Sequence, residues 1–337
     1  HLDLEISSLL SGREFSVIGG NSVIGSLGVA SLLLSAQTSA SGNEVSGRVA
    51  SISDSFISMV AGSASAYGQK AVSSADGNRL TFEIATSVSN STLDIQGGLA
   101  MAGGASGDSQ SAQASASGNL VTGSISGSVG QSSSLGIYGG RATAVAQDST
   151  AVADNNQIQL TLTLEETDGS VEETDGSMQL LLLGASARAL TTAVADGNLL
   201  RVSGGADTAI KGTLYGAQVT MLQWSGEADA SGNRVEVSGI DLTGSITGAQ
   251  VRNENRDENS SGSVNAEGNI VVISDSTING DVTGANLQGS HINADGNTVI
   301  LGEGTVVNGN VTAVVDANGV LARSSGGEFS STYSNNR

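Results

Sequence analysis

Two consecutive heptads, Glu165-Glu166-Thr167-Asp168-Gly169-Ser170-Val171 and Glu172-Glu173-Thr174-Asp175-Gly176-Ser177-Met178, hold the densest group of chemically capable side chains in this sequence. Hard carboxylate oxygens gathered by Asp-Gly turns are calcium chemistry, which makes Asp168 and Asp175 calcium candidates. Their spacing matches neither the EF-hand loop nor the calcium-binding nonapeptide repeat, so a solvated hairpin inserted into a repeat is the competing reading. His1 offers an α-amino group and an imidazole to a metal, but the one other histidine is His291 and nothing local pairs them. Asp241, Asp275 and Asp281, with Arg234 and Arg252 near them in sequence, are the types that polysaccharide lyases and hydrolases place on one face. Acid–base work needs two carboxylates at a set separation, and no dense Asp-Asp or Asp-Arg cluster supplies them. Phosphate loops, nucleophile elbows and His/Cys metal spacings do not occur. The expectation is therefore no enzyme, no catalytic residue and no cofactor other than the calcium candidate.

What must position any of these groups is a repeat. An acidic or serine residue, then Gly-Asn, then an aliphatic residue two places on, appears at Asn43, Asn78, Asn119, Asn198, Asn233, Asn269 and Asn297. A degenerate copy, Asp154-Asn155-Asn156…Ile158, fills the one gap, and the asparagines are 35, 41, 37, 42, 35, 36 and 28 residues apart. Periods on this scale mark a solenoid. Gly and Asn tolerate positive φ, so each mark reads as a sharp corner that launches a strand. Strand side chains alternate, so the aliphatic residue two past the asparagine faces inward every time. A second mark, Leu242-Thr243-Gly244-Ser245-Ile246-Thr247-Gly248-Ala249, returns at Ile278–Ala285 and Ile210–Ala217 and reads as a further turn. Ala/Ser-rich stretches suited to a narrow corner close each unit.

Composition agrees. There are 47 glycines, 3% aromatics and no proline in 337 residues. A usual proline frequency of about 5% would give roughly 17, and proline is excluded from central strands. No unit shows a 3.6-residue period. The fold expected is all-β, a right-handed parallel β-helix of about nine coils with variable excursions, one coil per unit. At about 4.8 Å per coil it would be roughly 45 Å long. Residues 12–320 form the solenoid; 1–11 and 321–337 are strand-like ends. Neither end shows a shielding helix or proline block, so Leu2, Leu4 and Ile6, and Phe329 and Tyr333, are self-assembly candidates.

Units such as Gly296-Asn297-Thr298-Val299-Ile300…Val307-Asn308-Gly309-Asn310-Val311 resemble the β-solenoid repeats in passenger regions of bacterial autotransporter and filamentous-haemagglutinin-type surface proteins. The likeness is good from about Gly197 to Gly319 and loose before it. It implies export, extracellular or cell-surface display, and adhesion or matrix function; a recognisable C-terminal membrane barrel is lacking. A chain opening at His1 fits removal of an upstream secretion signal.

The formal charge is −20, from 33 acids and 13 bases, with Lys70 and Lys211 the only lysines. That balance works against nucleic acid and anionic membranes. No apolar stretch approaches the ~20 residues of a membrane span. Absent cysteine removes disulfides and thiolate sites. The reading that follows is a secreted structural protein whose partner is itself, polymerised by end-to-end stacking or terminal-strand exchange. A monomeric adhesin stalk binding host-surface or matrix glycans through 253–259 is the alternative, with Trp224 a packing anchor or sugar platform. A polysaccharide-degrading enzyme is a third.

Overall fold

The computed structural model describes residues 1–24, 35–103, 111–129, 133–164, 179–205, 208–222, 226–253, 262–289, 291–316 and 329–331. Among them there is no helix, and every paired strand is parallel to its neighbours. The chain winds as a β-solenoid with three sheets, one strand of each per turn. The first coil contributes Leu2–Ser11, Glu14–Ile24 and Ala36–Ser39 to the first, second and third sheets in that order. The second coil repeats this with Glu44–Ser53, Phe56–Tyr67 and Lys70–Ser74. Eight coils have all three strands. A ninth has Thr298–Leu301 with Val306–Val307 and Val311–Asp316, and Phe329–Ser331 adds a tenth row to the first sheet. One coil forms per Gly-Asn unit, because Val45, Leu80, Val121, Ile158, Leu200, Val235, Val271 and Val299 pair row on row.

Those eight residues, each two past the repeat asparagine, are at most 2% exposed. They belong to a core of Val, Ile and Leu held between the first sheet and the leading half of the second. A second core is made almost wholly of alanine, between the trailing half of the second sheet and the third sheet. It includes Ala40, Ala75, Ala116, Ala153, Ala195, Ala230, Ala266 and Ala294, each three residues before a repeat asparagine. In the later coils the same core admits Val219, Met221, Val251, Val264 and Leu287.

The second mark is not a turn. Gly216-Ala217 and Gly248-Ala249 lie inside continuous strands, Ala209–Met221 and Asp241–Asn253. What happens there is a change of facing. In Phe56–Tyr67 the inward residues are Ile57, Met59 and Ala61, then Ala64 and Ala66, so the alternation slips by one at Gly62. The same slip recurs along the sheet at Ala185 and Ala249, which stand in the Gly62 column through Gly98, Gly140 and Ala217. Because every row slips at the same place, the sheet bends without losing its ladder. The true corner from first to second sheet is Ser53-Asp54-Ser55, repeated as Ser89-Asn90-Ser91 and Ser274-Asp275-Ser276. Its middle residue takes a positive φ of 47°, 45° and 48°, and the final Ser Oγ donates back to the first Ser carbonyl at 2.7 Å.

Candidate functional site

Three longitudinal rows stand out where the sheets meet. The first is the ladder of repeat asparagines. From Asn43 to Asn269, each backbone N–H and each Nδ2 donates to Oδ1 of the asparagine one coil further on, at 2.8–3.1 Å. The last rung, Asn297, turns its Nδ2 to the Ala266 and Ala294 carbonyls. Asn78 to Asn297 are essentially fully buried. The corner that delivers them needs positive φ at the preceding residue, 63–70° being served by glycine in seven copies and 54° by Asn155 in the eighth. Buried carboxamides are tolerable because each is satisfied by its neighbours. The glycines of the bent second sheet face this ladder. A Cβ on Gly140 would lie 2.0 Å from the Ala116 carbonyl oxygen and 2.6 Å from Asn156 Nδ2.

The second row is the residue leading each mark. Asp76 N–H donates to Ser41 Oγ, Ser117 N–H to Asp76 Oδ1, Asp154 N–H to Ser117 Oγ, and Asp196 N–H to Asp154 Oδ1. Ser231 N–H donates to Asp196 Oδ1 and Glu267 N–H to Ser231 Oγ. Any short side chain carrying an oxygen acceptor serves, which is why Asp and Ser interchange. This ladder brings Asp154, Asp196 and Asp229 together. Burial pushes the Asp196 carboxyl up to about 6, with help from Asp229 and Asp154 and against the Ser231 N–H. Burial also raises Asp154.

The third row runs along the outside of the bend in the second sheet. Val60, Gln96, Tyr138, Leu183, Tyr215, Thr247 and Thr283 stack in register on the outward side. Outward residues of a sheet are ordinarily open, yet Val60, Gln96, Leu183, Thr247 and Thr283 are buried and both tyrosines half-buried. The bend makes the face concave, and this row is its floor. A depression of about 660 Å³ opens beside Tyr138, the member of this row that lines it, together with Asp94, Arg141, Leu181 and Lys211 among others. The Arg141 guanidinium sits 5.6 Å from the Tyr138 ring centre. Burial raises both tyrosine hydroxyls, with Arg141 and Arg252 acting against it at Tyr138 and Tyr215 respectively, so both stay protonated donors at neutral pH.

The residues singled out from the sequence scatter. His1 lies beside Glu44 in the first coil and His291 is in the eighth, so the two cannot share a metal. Arg234 Nε and Arg201 Nε both donate to Glu236, at 2.5 and 2.6 Å; Arg252 is on the second sheet. Asp281 accepts from Asn310 N–H and Nδ2, and Asp275 forms a corner. Among the described residues no group of three or more His, Cys, Asp or Glu could hold a metal. Leu2 and Leu4 lie in the first row of the first sheet and Phe329 in its tenth. Ile6 has a described backbone only. Asp168, Asp175, Trp224, Tyr333 and residues 254–259 fall outside the described residues. Missing from the sequence reading were the alanine three before each asparagine, the Ser-Asp/Asn-Ser corner and the concave face. The first two recur visibly; the third has no local signal.

No helix among the described residues is long and apolar enough to cross a membrane. Comparison with protein-family profiles, with curated proteins and with solved structures finds no match to this chain.

Proposed function

We propose that this chain is a structural subunit that associates with itself into a fibre or surface filament outside the cell. Coils stack end to end in it, or a terminal strand is exchanged. The observation that carries the reading is the state of the two end rows. Leu2–Ser11 and Phe329–Ser331 each pair on one edge only among the described residues. Nothing there donates to the carboxamide of Asn43, the first rung of the ladder. An unpaired parallel edge with open acceptors and donors is a template for another strand. The repeating body supplies what a fibre needs, since each coil is stabilised by its neighbours and growth adds the same contact each time. Display outside the cell and a matrix or adhesive role follow from the resemblance of the repeats to bacterial surface solenoids.

Negative-stain microscopy and light scattering of the purified protein test this. Elongated polymers with a diffraction repeat of about 4.8 Å along the axis are expected. A concentration-independent 33.4 kDa particle would sink the proposal. Deleting residues 1–10 should block strand exchange; unchanged fibres would leave end-to-end stacking alone.

A further inference from the structure

The depression on the second sheet is a groove that runs along the solenoid axis. Phe56, Thr92, Ser134, Gln179, Lys211 and Thr243 all line it. Strand register sets these residues side by side, one per coil over six successive coils. Five steps of about 4.8 Å make the row about 24 Å long. Asp94, Gly136, Leu181 and Thr213 line the groove as a second, parallel row, two residues further along each strand. Gly136 leaves the middle of that row empty: an added Cβ would meet nothing nearer than a Tyr138 ring carbon at 3.5 Å. The volume of about 660 Å³ is within the range of ligand sites, about 300–1,000 Å³.

The lining repeats one kind of chemistry from coil to coil. Thr92 Oγ1 and Ser134 Oγ lie 3.1 Å apart, and Gln179, Thr213 and Thr243 add further groups that both donate and accept. Beside them, Phe56 and Leu181 are large apolar side chains left 41% and 37% exposed. The charged groups Asp94, Arg141 and Lys211 stand at separate positions along the strands and differ in sign, so no charge recurs along the axis. Thr92–Gly103, Ser134–Val145, Gln179–Ala189 and Ala209–Met221 are each paired on both edges, which leaves no backbone free for an added peptide strand.

We propose that this groove binds a neutral, extended β-1,4-linked glycan of the cellulose or chitin kind, lying along the solenoid axis with one sugar per coil. Such a chain advances by close to one coil spacing per sugar, so successive sugars meet successive members of the same row. Sugar hydroxyls exchange hydrogen bonds with a row of hydroxyls and carboxamides. The C–H faces of the rings cover Phe56 and Leu181, which removes apolar surface from water. A coiled, α-linked glycan would leave the row within a few sugars. A polyanion would find no recurring base and a −20 body around it. The proposal goes beyond self-assembly and does not depend on it, since the groove lies on the flank and the open edges at the ends.

Isothermal titration of the full chain with cellohexaose and with N-acetylchitohexaose tests it, the two arms separating glucose from N-acetylglucosamine. Maltohexaose and an alginate hexamer serve for comparison. Binding to one or both β-linked hexamers, little changed by added salt, is expected, with much weaker binding or none to maltohexaose and alginate. Gly136→Leu puts a side chain into the middle of the groove and should lower affinity at least ten-fold while leaving fibre formation unchanged. Arg201→Ala on the first sheet should change neither, and circular dichroism checks that each fold survives. Should Gly136→Leu unfold, Gln179→Ala combined with Thr213→Ala must still weaken binding. The proposal is overturned if wild type binds neither β-linked hexamer, if maltohexaose or alginate binds as tightly, or if folded Gly136→Leu binds as wild type does. It is equally overturned if Gly136→Leu loses a lateral oligomer seen by sedimentation without any glycan binding, which would give the face to a second copy.

Discussion

An internal asparagine of the ladder serves two neighbours at once, and an end one serves a single neighbour. Asn156 Oδ1 accepts the N–H and the Nδ2 of Asn119 inside a dry interior. Asn156→Ala strands both buried donors, each worth about 1–3 kcal/mol when unpaired, so a loss of about 3 kcal/mol is expected in urea unfolding. Asn43→Ala removes one bond at a half-exposed rung and should cost under about 1 kcal/mol. Equal losses would mean that the ladder is not continuous. Asp196 gives the pH dependence. Its folded-state pKa of about 6 lies above the ordinary 3.8, so the folded protein holds a proton that the unfolded chain releases. The stabilisation is complete below 3.8 and is lost as pH rises through about 6. Asp196→Asn keeps an oxygen acceptor for Ser231 and removes the charge beside Asp154 and Asp229. It should melt as wild type does near pH 4 and above wild type at pH 7.5; a lower midpoint at pH 7.5 would contradict this.

Within the second-sheet strands, glycine means two different things four residues apart. Gly140 lies against the ladder, and an added Cβ would meet backbone and carboxamide at 2.0 and 2.6 Å. Neither partner can retreat, because both are fixed by the next coil. Gly140→Ala should therefore destabilise by about 1–3 kcal/mol or more, as overpacking does. Gly136 faces the groove, where the nearest atom to an added Cβ is a tyrosine carbon at 3.5 Å. Gly136→Ala should be within about 0.5 kcal/mol of wild type. Thermal melts of the pair separate a steric requirement from mere β-propensity. The two cores divide in the same way: one takes Val, Leu and Ile interchangeably across its rows, whereas the other takes alanine almost throughout.

At the scale of the molecule, stability is distributed along an axis. Each coil touches those above and below, so the end coils have half the neighbours and should open first. Amide exchange is expected to be slowest across Gln157–Leu164, in the fifth coil, and fastest in Leu2–Ser11. Uniform protection from end to end would indicate that the ends are covered, as they are inside a fibre. That makes the same measurement a probe of assembly when run above and below the concentration at which polymers appear.

The sequence alone carried the repeat, its corner and its inward aliphatic residue, because those depend on backbone freedom and strand alternation within a few residues. It also carried one coil per unit and about nine coils, since each Gly-Asn mark can be counted. It misread Gly248-Ala249 as a turn, because glycine marks a corner and a close approach in the same way. Only the stacked coils show that this glycine faces Asn269 across the interior. The concave flank is likewise invisible along the chain. Tyr138, Leu183 and Tyr215 are 45 and 32 residues apart in sequence, and winding alone sets them side by side. What Asp and Ser share at the head of each mark also waited for the structure, since an acceptor is defined by the donor that reaches it from the next coil.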